Sequence, residues 1–271
     1  MKDCFKGNIK YIILAPLLKL IESVFELFVP KLTGNIIDLG IATGDKKYVL
    51  SCVFIMIGLG VLGLICAVTS QYFSAKCAYG FSANLRKKIF TQNNFSVVNI
   101  SSDVIAIQGG INYFLRLIGR MAFMLVGATV SAVLIDFKMS IVFFVILIFI
   151  TFLLYIILKF GSRVYEHFQE SLEKIIQFDN YEKDIEETKR LGISAEKITA
   201  MQTPFVFFSV NLGIGLVLYF SGAGTATLSA GEITALTGYL TQIFLALTSS
   251  TILMPTFSKA IASYKRVAEI V

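Results

Sequence analysis

The lysines and arginines of this chain gather on one side of six apolar stretches. Those stretches cover roughly residues 11–38, 49–72, 115–135, 139–159, 203–222 and 231–255. As helices rising about 1.5 Å per residue, each is about long enough to cross a hydrocarbon core of about 30 Å. With the N-terminus inside, the inner ends and loops hold seventeen basic residues, from Lys2, Lys6 and Lys10 to Lys259, Lys265 and Arg266. The outer loops hold three: Lys46, Lys47 and Lys138. A water-soluble chain has no reason to sort its charge this way. The bias predicts a multi-pass protein of the cell inner (plasma) membrane, with six spans and both termini cytoplasmic.

Composition agrees. A mean hydropathy of +0.76, with 56% hydrophobic and 15% charged residues, excludes an ordinary soluble domain. The net charge of +6 is then the balance of the inner loops, suited to anionic inner-leaflet lipid rather than to nucleic acid. Cys4, Cys52, Cys66 and Cys77 form no CxxC pair, and His167 is the sole histidine, so neither a disulfide framework nor a metal cage is expected. No nucleophile with a base and no paired catalytic carboxylates stand out, so enzyme chemistry within these residues is not expected. The first apolar stretch is too long for a cleavable signal peptide and lacks a small-residue cleavage site.

The connections are asymmetric. Outer ones are short and rich in turn chemistry, as in Gly40-Ile-Ala-Thr-Gly44-Asp45 and Asp136-Phe-Lys138. The inner ones, from about Tyr72 to Leu115 and from Lys159 to Gln202, each run roughly 44 residues. Within the second, Leu172, Ile175, Ile176 and Ile185 recur at helical spacing among charges. The spans are therefore expected to continue inward as helical hairpins, reaching about 30 Å below the bilayer.

These residues carry a resemblance. Pro16-Leu-Leu-Lys-Leu-Ile-Glu22, Phe25-Glu-Leu-Phe-Val-Pro30 and Ile36-Ile-Asp-Leu-Gly-Ile-Ala-Thr-Gly-Asp45 resemble the first helix and first outer loop of ABC exporter half-transporters, type IV fold. The bacterial heterodimeric multidrug-type subfamily is the nearest. Gly80-Phe-Ser-Ala-Asn-Leu-Arg86 resembles the second-helix extension. Leu115-Arg-Leu-Ile-Gly-Arg120 and Ile135-Asp-Phe-Lys-Met-Ser140 resemble the third helix and the turn into the fourth. Gly231-Glu-Ile-Thr-Ala-Leu236, Tyr239-Leu-Thr-Gln-Ile243 and Ala260-Ile-Ala-Ser-Tyr-Lys-Arg-Val267 resemble the last helices. The resemblance implies an all-α membrane protein whose residues 1–271 form a single transmembrane domain, with six helices extended into the cytoplasm.

Two departures from the family pattern set further expectations. No GxxxxGK[ST] loop occurs, so no nucleotide phosphate is cradled here; ATP and Mg belong to an ATPase domain that follows in full-length relatives. The hairpin tips are short. Thr91-Gln-Asn-Asn-Phe-Ser-Val-Val-Asn-Ile-Ser-Ser102 and Phe178-Asp-Asn180 stand where the family has longer docking segments.

Candidate site residues follow from polarity inside the spans. Lys19, Glu22 and Glu26 lie at i, i+3 and i+7, on one face of the first helix. A charge facing lipid at mid-bilayer costs at least a few kcal/mol, so that face is expected to look into protein or a wet cavity. Two readings stand for Glu22 and Glu26: a cavity wall attractive to cationic amphiphiles, or a structural clip between Lys19 and Glu22. Arg116 and Arg120, one turn apart, either line the inner mouth or snorkel to the interface. Asn211, Tyr239, Gln242 and Phe208 complete the cavity candidates, since buried amides need partners or water and aromatics suit a greasy pocket. Phe is equally the ordinary lipid-facing residue.

By resemblance, the chain is expected to be half of an alternating-access pathway. Its expected partners are a second half-transporter (homo- or heterodimer), the bilayer, a nucleotide-binding domain and a hydrophobic small-molecule substrate. The alternative reading is an uncoupled or engineered membrane scaffold that dimerises or binds apolar ligands without transport.

Overall fold

The computed structural model describes residues 2–5, 7–91, 97–175, 181–223, 227–249 and 253–270. Among these the chain is helical almost throughout. After a 3-10 turn at Lys2–Phe5 come α1 (Ile9–Asn35), α2 (Lys46–Phe90), α3 (Val97–Tyr113), α4 (Gly119–Ile135), α5 (Phe137–Ile175), α6 (Tyr181–Gly222), α7 (Ala230–Thr248) and α8 (Leu253–Ile270). A π-turn at Ile36–Ile41 prolongs α1, and a second at Phe114–Ile118 joins α3 to α4 in one continuous rod.

The short loops work as their residues predict. Gly44 adopts a left-handed φ of 72°, which ends the first rod. Asp45 then accepts hydrogen bonds from the Lys47 and Tyr48 backbone N–H groups at 2.9 and 3.0 Å, starting α2. Ser229 and Glu232 form a reciprocal capping box at the start of α7. Pro16 and Pro30 lie within α1 and Pro204 within α6, and none of them breaks its helix. Proline is tolerated inside a membrane helix where neighbours and packing compensate the lost bond. Pro30 supplies such packing, because a Cβ built on Gly238 of α7 would approach the Pro30 ring at 2.9 Å.

Four helical rods are long and apolar enough to cross a membrane: Lys46–Phe90, Ser101–Ile135, Phe137–Leu172 and Ile185–Gly222. The chain is a multi-pass helical membrane protein. Of the six expected spans, the second to the fifth fall on these four rods, and the first and sixth fall on α1 and α7. Helix α1 has the length, at 27 residues, but carries Lys19, Glu22, Glu26 and Lys31. Helix α7 has 19 residues and carries Glu232 and Gln242. Both depend on neighbours to cover polar groups. The sixth stretch, read as 231–255, also divides: α7 ends at Thr248 and α8 begins at Leu253.

Three helices continue well past the length needed to cross a bilayer. Helix α2 runs unbroken for 45 residues, and α5 and α6 for 39 and 42. The hairpin tips read as shortened, including Phe178-Asp-Asn180 and most of Thr91-Gln-Asn-Asn-Phe, lie outside the described residues.

Two apolar cores hold the rods together. The larger joins α4, α5, α6 and α7 through Phe143, Ile146, Val210, Leu236, Leu240 and Ile243. The smaller, at the end bearing the long hairpins, packs Cys4 with Phe81, Leu85, Ile89, Val104, Ile107 and Val267. A part-buried ion pair ties that end together: Asp103 of α3, 10% exposed at its side chain, accepts from Ser263 and from Arg266 of α8, the latter 36% exposed. All four cysteines are free.

Candidate functional site

Helix α1 is the axis of the polar interior. It packs against α2, α4 and α7, so its charged face is enclosed rather than set against lipid. Lys19 and Glu22 are each 7% exposed. The Lys19 ammonium donates to both Glu22 oxygens at 2.7 Å, one turn apart on the same helix. Ser23, fully buried beside them, donates to the Lys19 carbonyl. Of the two readings for Glu22, the geometry gives the clip.

Glu26 sits one turn further along and has a different partner. Arg120 of α4 donates through one terminal nitrogen to both Glu26 oxygens, at 2.9 and 2.8 Å. Arg120 does not snorkel to the interface: the carboxylate of α1 supplies a nearer partner than the headgroups do. Arg116, a turn earlier in the π-turn, places its guanidinium 5.9 Å from the Tyr113 ring centre. Its Nε is buried with no hydrogen-bond partner among the described residues, and so is that of Arg120.

Two cavities flank this line of charge. One, of about 330 Å³, lies between α1 and α2, with Glu22, Phe25 and Glu26 on one wall and Leu59, Gly60 and Gly63 on the other. Cβ atoms built on Gly60 and Gly63 would meet nothing within 4 Å, so these glycines leave the wall open. The other, of about 500 Å³, lies between α1, α4 and α7 and is mostly apolar. Its polar lining includes Lys31, Asp38, Ser131, Glu232 and Tyr239.

The second cavity sits beneath a tight junction. A Cβ on Gly34 would lie 2.5 Å from the Gly231 carbonyl oxygen, so α1 and α7 touch backbone to backbone. Asp38 seals the contact by accepting from the Gly231 N–H at 2.8 Å and from the Ser229 hydroxyl. A carboxylate at the positive end of α7 is favourable for the helix dipole as well.

The structure brings Glu22, Glu26 and Arg120 together and places Tyr239, 2% exposed, at the wall of the larger cavity. Gln242 is half-buried on α7 and lines neither cavity. Phe208 and Asn211 lie on the exposed face of α6, away from both of these cavities. The buried stripe of α6 is Val206, Ser209, Val210, Gly213 and Val217, a helical repeat that turns residues 208 and 211 outward. The Asn211 amide needs no cavity, because it donates to the Phe207 carbonyl one turn back at 2.8 Å. Lys31, Asp38 and Gly231 were not anticipated as wall residues. Their signal in the sequence was only a charge near a span end and a glycine beside a capping residue.

Residues 12–92 match the ABC transporter transmembrane region family. Across 95% of its length the chain is 27% identical to an uncharacterised ABC transporter ATP-binding protein, YfiB, of Bacillus subtilis (strain 168), covering 51% of that protein. Across 96% of its length it is 22% identical to ABC transporter B family member 1 of Dictyostelium discoideum, covering 33% of that protein. A 74-residue segment is 28% identical to an uncharacterised ABC transporter ATP-binding protein of Mycobacterium tuberculosis, covering 27% of this chain and 13% of that protein. The chain thus spans about half the length, or less, of the curated relatives it matches. The similarity to ABC transporter membrane regions lies in α1 and α2 by the family match and extends along almost the whole chain by the first two relatives.

Proposed function

We propose that this chain forms one membrane-spanning half of an ATP-driven exporter of hydrophobic or amphipathic molecules. A second half-transporter, identical or related, completes the pathway, and ATP with Mg acts in an ATPase domain outside these residues. The similarity to ABC transporter proteins over almost the whole chain supports the transport role. The observation that supports the substrate class is the α1–α2 cavity, where Glu26 stands in a largely apolar wall and Glu22 is held by Lys19. An amphiphile with a cationic head and an apolar body matches such a surface, since a carboxylate in a low-dielectric wall attracts only the charged head.

The test is transport of a fluorescent lipophilic cation into proteoliposomes. The chain is assayed with its ATPase domain and partner half present, and again with either one left out. Uptake that needs ATP and both components supports the reading. Dye binding without ATP-dependent uptake in the complete system overturns export and leaves the scaffold reading in its place.

A further inference from the structure

Glu26 and Arg120 form one rung of a ladder whose second rung is open. Helices α1 and α4 run parallel: Glu26 meets Arg120, Leu27 meets Gly127, and Asn35 and Asp38 share a cavity with Leu134 and Ile135. Glu22 lies four residues before Glu26, and Arg116 four residues before Arg120. One helical turn separates the members of each pair. In uninterrupted α-helix the step that pairs Glu26 with Arg120 would set Glu22 opposite Arg116.

That rung is not formed. Glu22 gives both oxygens to Lys19, and the buried Nε of Arg116 has no partner among the described residues. The α2 residues lining the cavity beside Glu22 are Leu59, Gly60, Gly63, Leu64 and Ala67, none of them charged. A carboxylate 7% exposed must keep a cation, and here it can take one only from α1 or α4. Arg116 sits within the π-turn Phe114–Ile118, which packs on α1. A π-turn holds one residue more than the α-helix it interrupts, and such bulges recur at functional sites. Relaxing it to α-helix turns Arg116 by about 100° and moves it by about 1.5 Å.

We propose that Glu22 is a shared carboxylate that exchanges Lys19 for Arg116 when this π-turn relaxes, with the Glu26–Arg120 pair as the fixed rung. The two arrangements are the two positions of a switch between α1 and α4. The exchange needs neither substrate nor ATP, so its failure leaves the transport reading untouched, and failure of transport leaves it standing.

The experiment is a double-substitution cycle on the full chain in detergent. Unfolding is followed by a thiol-reactive dye, since Cys4, Cys52 and Cys77 are buried and free. Lys19→Met should be tolerated, because Glu22 passes to Arg116. Combined with Arg116→Gln, it should lower the melting temperature by about 6 °C more than the two single losses together, because the buried carboxylate then has no cation. In a Glu22→Gln background that excess should vanish. Losses that simply add, or an excess that survives Glu22→Gln, overturn the proposal. If the double variant does not fold, Lys19→Met with Arg116→Lys decides. Restored folding supports the exchange, and equal failure overturns it. Hydrogen exchange across Phe114–Ile118 should differ between Lys19→Met and the unmodified chain, and unchanged exchange removes the π-turn from the mechanism.

Discussion

Arg120 reaches from α4 to Glu26 on α1, 94 residues earlier, and donates to both carboxylate oxygens through a single nitrogen. The pair is 19% and 30% exposed at its side chains, so each charge depends on the other rather than on water. Glu26→Gln and Arg120→Gln should each lower stability by about 2–3 kcal/mol, and the double substitution by less than their sum. Thermal unfolding of the four proteins in one detergent checks this. Additive losses would mean the pair contributes nothing across the helices.

Ligand selectivity follows from the same carboxylate. Glu26→Gln should weaken a cationic dye about tenfold while changing a neutral dye of equal size by less than about twofold, because only the cation feels the lost charge. Paired binding titrations read the ratio. Equal losses would make Glu26 a structural clip alone.

The α1–α7 junction should tolerate no side chain. Gly231→Ala would place a Cβ against the Gly34 carbonyl and the Asp38 carboxylate, while Gly34→Ala would press on the Gly231 carbonyl. Each should cost about 1–3 kcal/mol, since both neighbours are backbone or a fixed cap. Asp38→Ala, which removes acceptors for Gly231 and Ser229, should cost about 1–2 kcal/mol. Melting temperatures equal to the unmodified chain would show that the helices can part there freely.

At the end with the long hairpins, Asp103→Asn keeps the shape but removes the charge facing Arg266 and Ser263. A loss of about 2–4 kcal/mol is expected for a carboxylate this enclosed. Proteolysis in mild detergent should also cut sooner near the start of α8. Unaltered stability would place the hold of α8 in the apolar cluster around Val267 instead.

Charge segregation predicts that the long hairpins lie in the cytoplasm. A cysteine introduced at Thr43, an exposed loop position, should label with an impermeant reagent in intact cells. One at Lys189, exposed on α6, should label only after permeabilisation. Reversed labelling at either position breaks the topology.

The sequence alone determined that these residues are helical and membrane-spanning, because apolar length and charge bias are one-dimensional properties that solvent reads directly. It set the turn at Gly44-Asp45 by the same local rules. It also marked Lys19, Glu22, Glu26, Arg116 and Arg120 as costly in lipid, and so as residues in need of partners. What it left open was pairing. Spacing allowed Lys19 to meet Glu22, but nothing local tied Glu26 to Arg120 or Asp38 to Gly231, since those contacts cross 94 and 193 residues. Tertiary packing decided them by setting which faces of α1, α4 and α7 touch. It also turned Asn211 and Phe208 outward, because the burial of Val206, Val210 and Val217 fixes how α6 is rotated, and polarity at single positions does not.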